Sequence, residues 1–216
     1  MSRLTTGTKD YYSVIPKRLI RVVPEHTSSE VEAFWRMACE LHQGWAHVTL
    51  RDPLDPKKFP NTSHLWRTCQ SGAQLADLVR TEELWWSGGV YIDSDVEVYK
   101  SFEPLCGTNG FVGYEDSAHI PNAVMGFPPK HPAVYRVLEL SAQRHHMGTW
   151  ESGVGVTTEV FRDRTDILIL PPGSLYPYHY RDKAFYFSRD ARARMRRENP
   201  WAFCAHHWNH SWINDG

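Results

Sequence analysis

No stretch of the 216-residue sequence reaches the ~18 consecutive apolar residues of a membrane-crossing helix. Met1 to Lys17 also lacks the apolar core of a secretory leader. The four cysteines, Cys39, Cys69, Cys106 and Cys204, are scattered without paired spacing, which excludes a zinc ribbon or a compact disulfide framework. These absences predict a reduced, cytoplasmic protein with no transmembrane anchor. A net charge of −1, with histidine neutral, supplies no global field for nucleic acid or an anionic membrane. The Arg-rich run from Arg189 to Arg197, interrupted by Asp190, reads as a solvated helix face. Repeats, low-complexity tracts and Gly/Ser linkers are missing too, so residues 1–216 read as one domain.

What is abundant is aromatic: nine Trp, ten Tyr and nine Phe, most of them assigned to the core because flat rings bury large areas. Arg18 to Val23 reads as a strand closed by Pro24. Thr27 and Glu30 have capping-box spacing, and Val31, Phe34, Trp35, Ala38 and Leu41 follow at helical spacing, with Gly44 as the stop. Trp45 to Arg51 is a second strand, so the chain opens strand, helix, strand, an α/β nucleotide-binding layout. A loop over Asp52 to Asn61 leads to a helix over Ala73 to Trp86, ended by Gly88-Gly89. Further strands are predicted at Gly110 to Tyr114, Ala123 to Phe127 and Asp166 to Leu170, and a helix over His131 to His145. The aromatic, His-rich tail from Trp201 to Trp212 is expected to pack back on this domain, and Trp85 and Trp86 to lie in its core.

The chemistry centres on Gly88-Gly89-Val90-Tyr91-Ile92-Asp93-Ser94-Asp95. A buried strand ending in two carboxylates delivers charge to the carboxyl edge of a sheet, where open α/β sheets bind ligands. In extended chain Asp93 and Asp95 share a side, and their repulsion is offset by a hard divalent cation such as Mg²⁺ or Mn²⁺. Alone, an Asp-Ser-Asp turn is equally a solvated turn. Upstream, Asp77 and Arg80 stand three apart on a helix face. They form either a surface ion pair or a device in which the carboxylate takes sugar hydroxyls and the guanidinium offers forked donors.

The order Ala76-Asp77-Leu78-Val79-Arg80, seven residues, then Gly88-Gly89-Val90-Tyr91-Ile92-Asp93-Ser94-Asp95 resembles the signature of the DXD-containing sugar transferases. That family includes the Golgi initiating mannosyltransferases and the catalytic domains of the large clostridial glucosylating toxins. Ile15-Pro16-Lys17, Asn122 to Phe127 before His131-Pro132, Gly153 to Thr158, and His207 to Trp212 are similar to its other conserved segments. The resemblance implies a glycosyltransferase-A fold, Rossmann-like with a mixed central sheet. It also implies a nucleoside-diphosphate sugar donor (UDP or GDP), Mn²⁺ or Mg²⁺, and hexose transfer with retention to a protein or glycan acceptor. Carried over, Asp95 is the direct metal ligand, and Asp93 engages the ribose and the metal's water shell. Asp77 and Arg80 hold the donor sugar with Asn122 beside it, and Ser211 and Trp212 close over the diphosphate, Ser211 on the metal side. Asp93, Asp95 and Arg80 are the candidate catalytic set. Where the family carries a Trp facing the base, this chain reads Arg18 to Val23 without an aromatic, and Ala76 replaces the usual Ser. With no membrane anchor, the resemblance suits a bacterial or viral-host cytosol.

Two other readings compete. A zinc metallohydrolase would use His206, His207 and His210 with Asp116 or Asp215. A carbohydrate-binding module would use the aromatics alone. Glu115-Asp116 either lines a sugar pocket or forms a surface turn, and His145-His146 reads as the polar end of a helix.

Overall fold

The structure is a computed structural model that describes residues 14–186 and 188–208. Strand β1 (Arg18–Val23) is apolar at every position but its two arginines and is buried along nearly its whole length, the mark of a central parallel strand. It leads through helix α1 (Ser29–Leu41) to β2 (Ala46–Arg51), which pairs parallel to β1 from Arg18↔Ala46 to Val23↔Arg51. The cap of α1 corrects the Thr27–Glu30 expectation. Ser28 takes the hydrogen bond from Val31 N, while the Thr27 hydroxyl donates to Glu32. The helix therefore starts one residue later, with Val31, Phe34 and Ala38 buried as their spacing predicts.

The chain then crosses to the other side of β1. Helix α2 (Gly72–Ser87) is capped by Ser71 and ends at Gly88, whose φ of 63° and closeness to Pro129 admit only glycine. It delivers β3 (Gly89–Ile92), parallel to β1 and buried throughout. The order of the main sheet is β2-β1-β3-β6-β5-β7, with β5 (Phe111–Gly113), β6 (Val124–Phe127) and β7 (Leu168–Leu170). β6 is antiparallel to β3 and β5, and β5 is parallel to β7. The sheet is thus mixed, as expected. Because β2 and β3 leave β1 on opposite sides, the strand order reverses at β1, and ligands bind beyond the carboxyl ends of strands at such a point. Ile92, the carboxyl end of β3, is followed directly by Asp93.

Helix α3 (Pro132–Gln143) packs on α2, which explains why α2 is buried on more than one face. It is shorter than predicted. A 3₁₀ turn over His145–Met147 follows, with His145 buried rather than at a polar helix end. Short helices α4 (Thr149–Ser152) and α5 (Val154–Phe161) come next, and α6 (Arg189–Glu198) turns only Met195 fully inward, as the solvated reading requires. One pairing was not foreseen. β4 (Val96–Val98) joins β8 (Cys204–His206) in a second, two-stranded antiparallel sheet, which is how the tail packs back. Trp85 packs against the main core, but Trp86 is 42% exposed, with Lys130 Nζ over its ring and that of Trp85, so the core assignment of Trp86 is corrected. All four cysteines are unpaired. Among the described residues no helix is long and apolar enough to cross a membrane.

Candidate functional site

The turn after β3 is held by backbone. Asp93 N donates to Ala123 O at 2.8 Å and Val96 N to Asp93 O at 3.1 Å, so the two carboxylates leave from a fixed loop between β3 and β4. Their surroundings differ. On one side α2 presents Asp77 and Arg80, one turn apart on the face toward β3. Arg80 Nη2 lies 3.0 Å from both Asp77 Oδ1 and Asp93 Oδ1. Its Nη1 donates to Asn122 O at 2.9 Å and to Asn122 Oδ1 at 3.3 Å, and its Nε to Ala76 O at 3.2 Å. Asn122 Nδ2 in turn donates to Asp77 Oδ1 at 2.9 Å, and the Tyr91 hydroxyl to Asp93 Oδ1 at 2.6 Å. The guanidinium carbon sits 4.6 Å from the centre of the Tyr91 ring.

With side-chain exposures of 4% for Arg80 and 9% for Asp77, the surface ion pair reading is overturned. The expectation that Arg80 reaches out to a ligand is refined as well. Its Nε and Nη1 hydrogen-bond within the protein and its Nη2 pairs with two carboxylates, so it fixes the positions of Asp77, Asp93 and Asn122. Burial pushes the Asp77 carboxyl up to about 6, against the pull of Arg80. Burial disfavours the Arg80 cation, but Asp93, Tyr91 and Asp77 outweigh it and its pKa is raised. Asp77 Oδ2 faces Gly153, where a Cβ would overlap it, so the backbone at the start of α5 walls this network.

On the other side, His206 Nε2 from β8 lies 3.1 Å from Asp95 Oδ1 and 3.8 Å from Asp93 Oδ2. One ligand atom from each of Asp93, Asp95 and His206 falls within 4.8 Å of the others, a spacing that fits one metal ion. Burial lowers the His206 pKa, but the two carboxylates dominate and raise it. His207, the residue after β8, turns the opposite way. Its Nε2 lies 3.0 Å from Glu97 Oε2 and its Nδ1 2.6 Å from the Tyr178 hydroxyl.

His206 and His207 therefore never face one ion, and Asp116 binds His119 Nδ1 at 2.9 Å through its Oδ2. The zinc arrangement does not assemble among the described residues. Sequence reasoning had placed His206 only in that arrangement and missed it beside Asp93 and Asp95. No local spacing could have joined residues so far apart. Glu115 accepts from Tyr180 N at 3.0 Å. The expected Ser211 and Trp212, like Asn209, His210 and Asp215, lie outside the described residues.

Residues 28–112 match the family model of the glycosyltransferase sugar-binding region containing a DXD motif, which spans Asp77, Arg80, Asp93 and Asp95. This segment is similar to the DXD-type glycosyltransferase sugar-binding regions. Human alpha-1,4-N-acetylglucosaminyltransferase is 26% identical over 151 residues, 62% of this chain and 42% of that protein. The mannosyl phosphorylinositol ceramide synthase CSH1 of Saccharomyces cerevisiae is 22% identical over 149 residues, 65% of this chain and 39% of its own. The chain thus spans less than half the length of these relatives. In fold it is similar to the PaToxG glycosyltransferase, with a TM-score of 0.55 at 16% identity over 68% of this chain and 69% of that one. It is equally similar to the apo form of the glycosyltransferase GlyE of Streptococcus pneumoniae, with a TM-score of 0.55 at 10% identity over 93% and 57%. The fold is that of the glycosyltransferase-A enzymes.

Proposed function

We propose that the chain transfers a hexose from a UDP- or GDP-sugar to an acceptor, with a divalent cation and with retention of anomeric configuration. One observation carries this reading: Asp93 belongs to two clusters at once. Its Oδ1 is held in the Asp77–Arg80–Asn122 network and its Oδ2 faces the Asp95–His206 pair. A donor laid across the turn places its sugar at the first and its diphosphate at the second.

Asp77 accepts hydrogen bonds from sugar hydroxyls through Oδ2, the oxygen not taken by Arg80 and Asn122. Asn122 lies beside the same sugar, and Arg80 acts by positioning both. Asp93 reaches the ribose. Asp95 and His206, with Asp93, would hold the cation, and this mixed oxygen and nitrogen set suits Mn²⁺ better than the all-oxygen preference of Mg²⁺. Bound there, the cation supplies positive charge against the negative charge that builds on the departing diphosphate. Asp93 is engaged by Arg80, Asp95 by His206, and Asp77 is given to the donor sugar, so this reading calls on none of these carboxylates as a base over the acceptor. Retention, in which the leaving phosphate takes the acceptor proton, needs no such base. Ser211 and Trp212 keep their proposed place over the diphosphate on the strength of the resemblance.

The test is a panel of UDP- and GDP-hexoses with Mn²⁺, scored by free nucleotide, with and without chelator. Release from one donor that depends on the ion is expected, and Asp95→Ala should lower it about 10²–10³-fold. Silence across the panel, or full activity in Asp95→Ala, overturns the reading.

A further inference from the structure

The net charge of −1 is unevenly spread along the chain. Residues 180–201 hold seven Lys and Arg against three Asp and Glu, which leaves the remainder acidic. Helix α6 carries five of these cations. We propose that the exposed side of α6, together with Lys100 and Trp201, docks the protein on an anionic lipid bilayer. The inference does not depend on the transferase reading.

The cations are gathered rather than scattered. A cleft of about 290 Å³ is lined by Lys100, Arg196 and Arg197 and by no carboxylate. Arg196 also lines a neighbouring cleft of about 440 Å³ with Arg189 and Arg192, so the positive strip continues along the helix. The carboxylates of that second cleft are engaged, Glu30 by Arg192 at 2.6 Å and Glu97 by His207 at 3.0 Å. Arg194 stands 4.0 Å from Glu198. Arg189, Arg196 and Arg197 are exposed and have no carboxylate partner among the described residues.

Two cations in the last turn of a helix offset the partial charge of its free carbonyls, but that role does not account for Lys100. Lys100 follows β4, and its Nζ donates to Pro200 O, which holds the ammonium beside the end of α6. The guanidinium carbon of Arg196 lies 4.7 Å from the centre of the Tyr99 ring, so that side chain is placed as well. Like charges held together repel, and an anionic partner relieves the repulsion.

Aromatic rings flank the strip at both ends. Trp201 follows Pro200 and is 57% exposed, with its indole nitrogen against Gly173. Phe185, on the 3₁₀ turn before α6, is 74% exposed. Exposed aromatics beside Lys and Arg suit the headgroup level of a bilayer, where the rings meet the acyl boundary and the cations meet phosphates. A phosphopeptide asks for an enclosed pocket, and a nucleic acid strand for a channel. These cations instead lie along the outer side of a helix anchored inward by Met195, an arrangement that fits a broad, flat partner.

The experiment is co-sedimentation of the full chain with vesicles of phosphatidylcholine, with and without phosphatidylserine, and with poly(U) as a competing polyanion. Binding to the anionic vesicles alone is expected, and added salt should weaken it by screening the contact. Arg196→Ala combined with Arg197→Ala should weaken it at least tenfold at the melting temperature of the wild type. Arg196→Lys combined with Arg197→Lys keeps the charge and should retain it. Trp201→Ala should weaken it severalfold. Equal sedimentation with neutral vesicles, unchanged binding in either alanine variant, or tighter binding of poly(U) than of anionic vesicles overturns the proposal.

Discussion

The two halves of the candidate site are built differently. The sugar-side half stands on the six-stranded sheet: Tyr91 and Asp93 come from β3 and its turn, Asn122 from the approach to β6, and Asp77 and Arg80 from the helix that precedes β3. It is buried and cross-bonded, with a single guanidinium at its centre. The metal-side half depends on a two-stranded ladder only three residue pairs long. There His206 reaches Asp95 because β8 docks on β4. The first half is preorganised by its own hydrogen bonds. The second is assembled by a tail that must first find its strand, and so has fewer contacts to hold it in place.

Removing the centre of the first half should have the largest effect. Arg80→Ala leaves Asp77 and Asp93 without their shared cation and should cost about 3–5 kcal/mol of stability, read by urea denaturation. A loss below 1 kcal/mol would show that the sugar-side half is not held together in this way.

Asp77 then sharpens the contrast through pH. Burial raises its folded pKa from 3.8 to about 6. Between those values the folded state keeps a proton that the unfolded state has released, so stability falls as pH rises. The fall should be on the order of 3 kcal/mol from about pH 4 to 6 in the metal-free chain, and Asp77→Asn should abolish it. Glu32 and Asp116 behave oppositely. Their carboxyls titrate at about 2, so their contribution is lost only as pH falls below the ordinary carboxylate range, outside this window. An unchanged slope in Asp77→Asn would assign it to other groups.

The smallest effect tests the assembled half. Glu97 and Tyr178 hold His207, which follows His206 at the end of β8 and turns the other way. Glu97→Leu should loosen that end and weaken Mn²⁺ binding about tenfold, as loss of an outer support does at metal sites. Calorimetry with Mn²⁺ reads this directly, and equal affinity would mean that β8 holds His206 unaided.

Much of the first half was legible in the sequence. The apolar run of β3 ending in Asp93-Ser94-Asp95, the helix carrying Asp77 and Arg80, and the Gly88-Gly89 break are local features, fixed by spacing and by the backbone demands of glycine. Burial of the Asp77–Arg80 pair was not legible, because three-residue spacing suits a solvated pair as well as a buried one. Trp86 was misjudged for a related reason. An aromatic at a helix end looks like core until Lys130 is seen to cover its ring.

By itself, then, the sequence determined the strands of the main sheet, the helices α1 to α3 and the arrival of two carboxylates at the end of a buried strand, because these follow from local periodicity. Only the tertiary structure decided that His206 faces Asp93 and Asp95 while His207 turns to Glu97. The side each histidine takes is set by the register of β8 on β4, which pairs Val96 with His206. Such a register exists only once segments distant along the chain have come together.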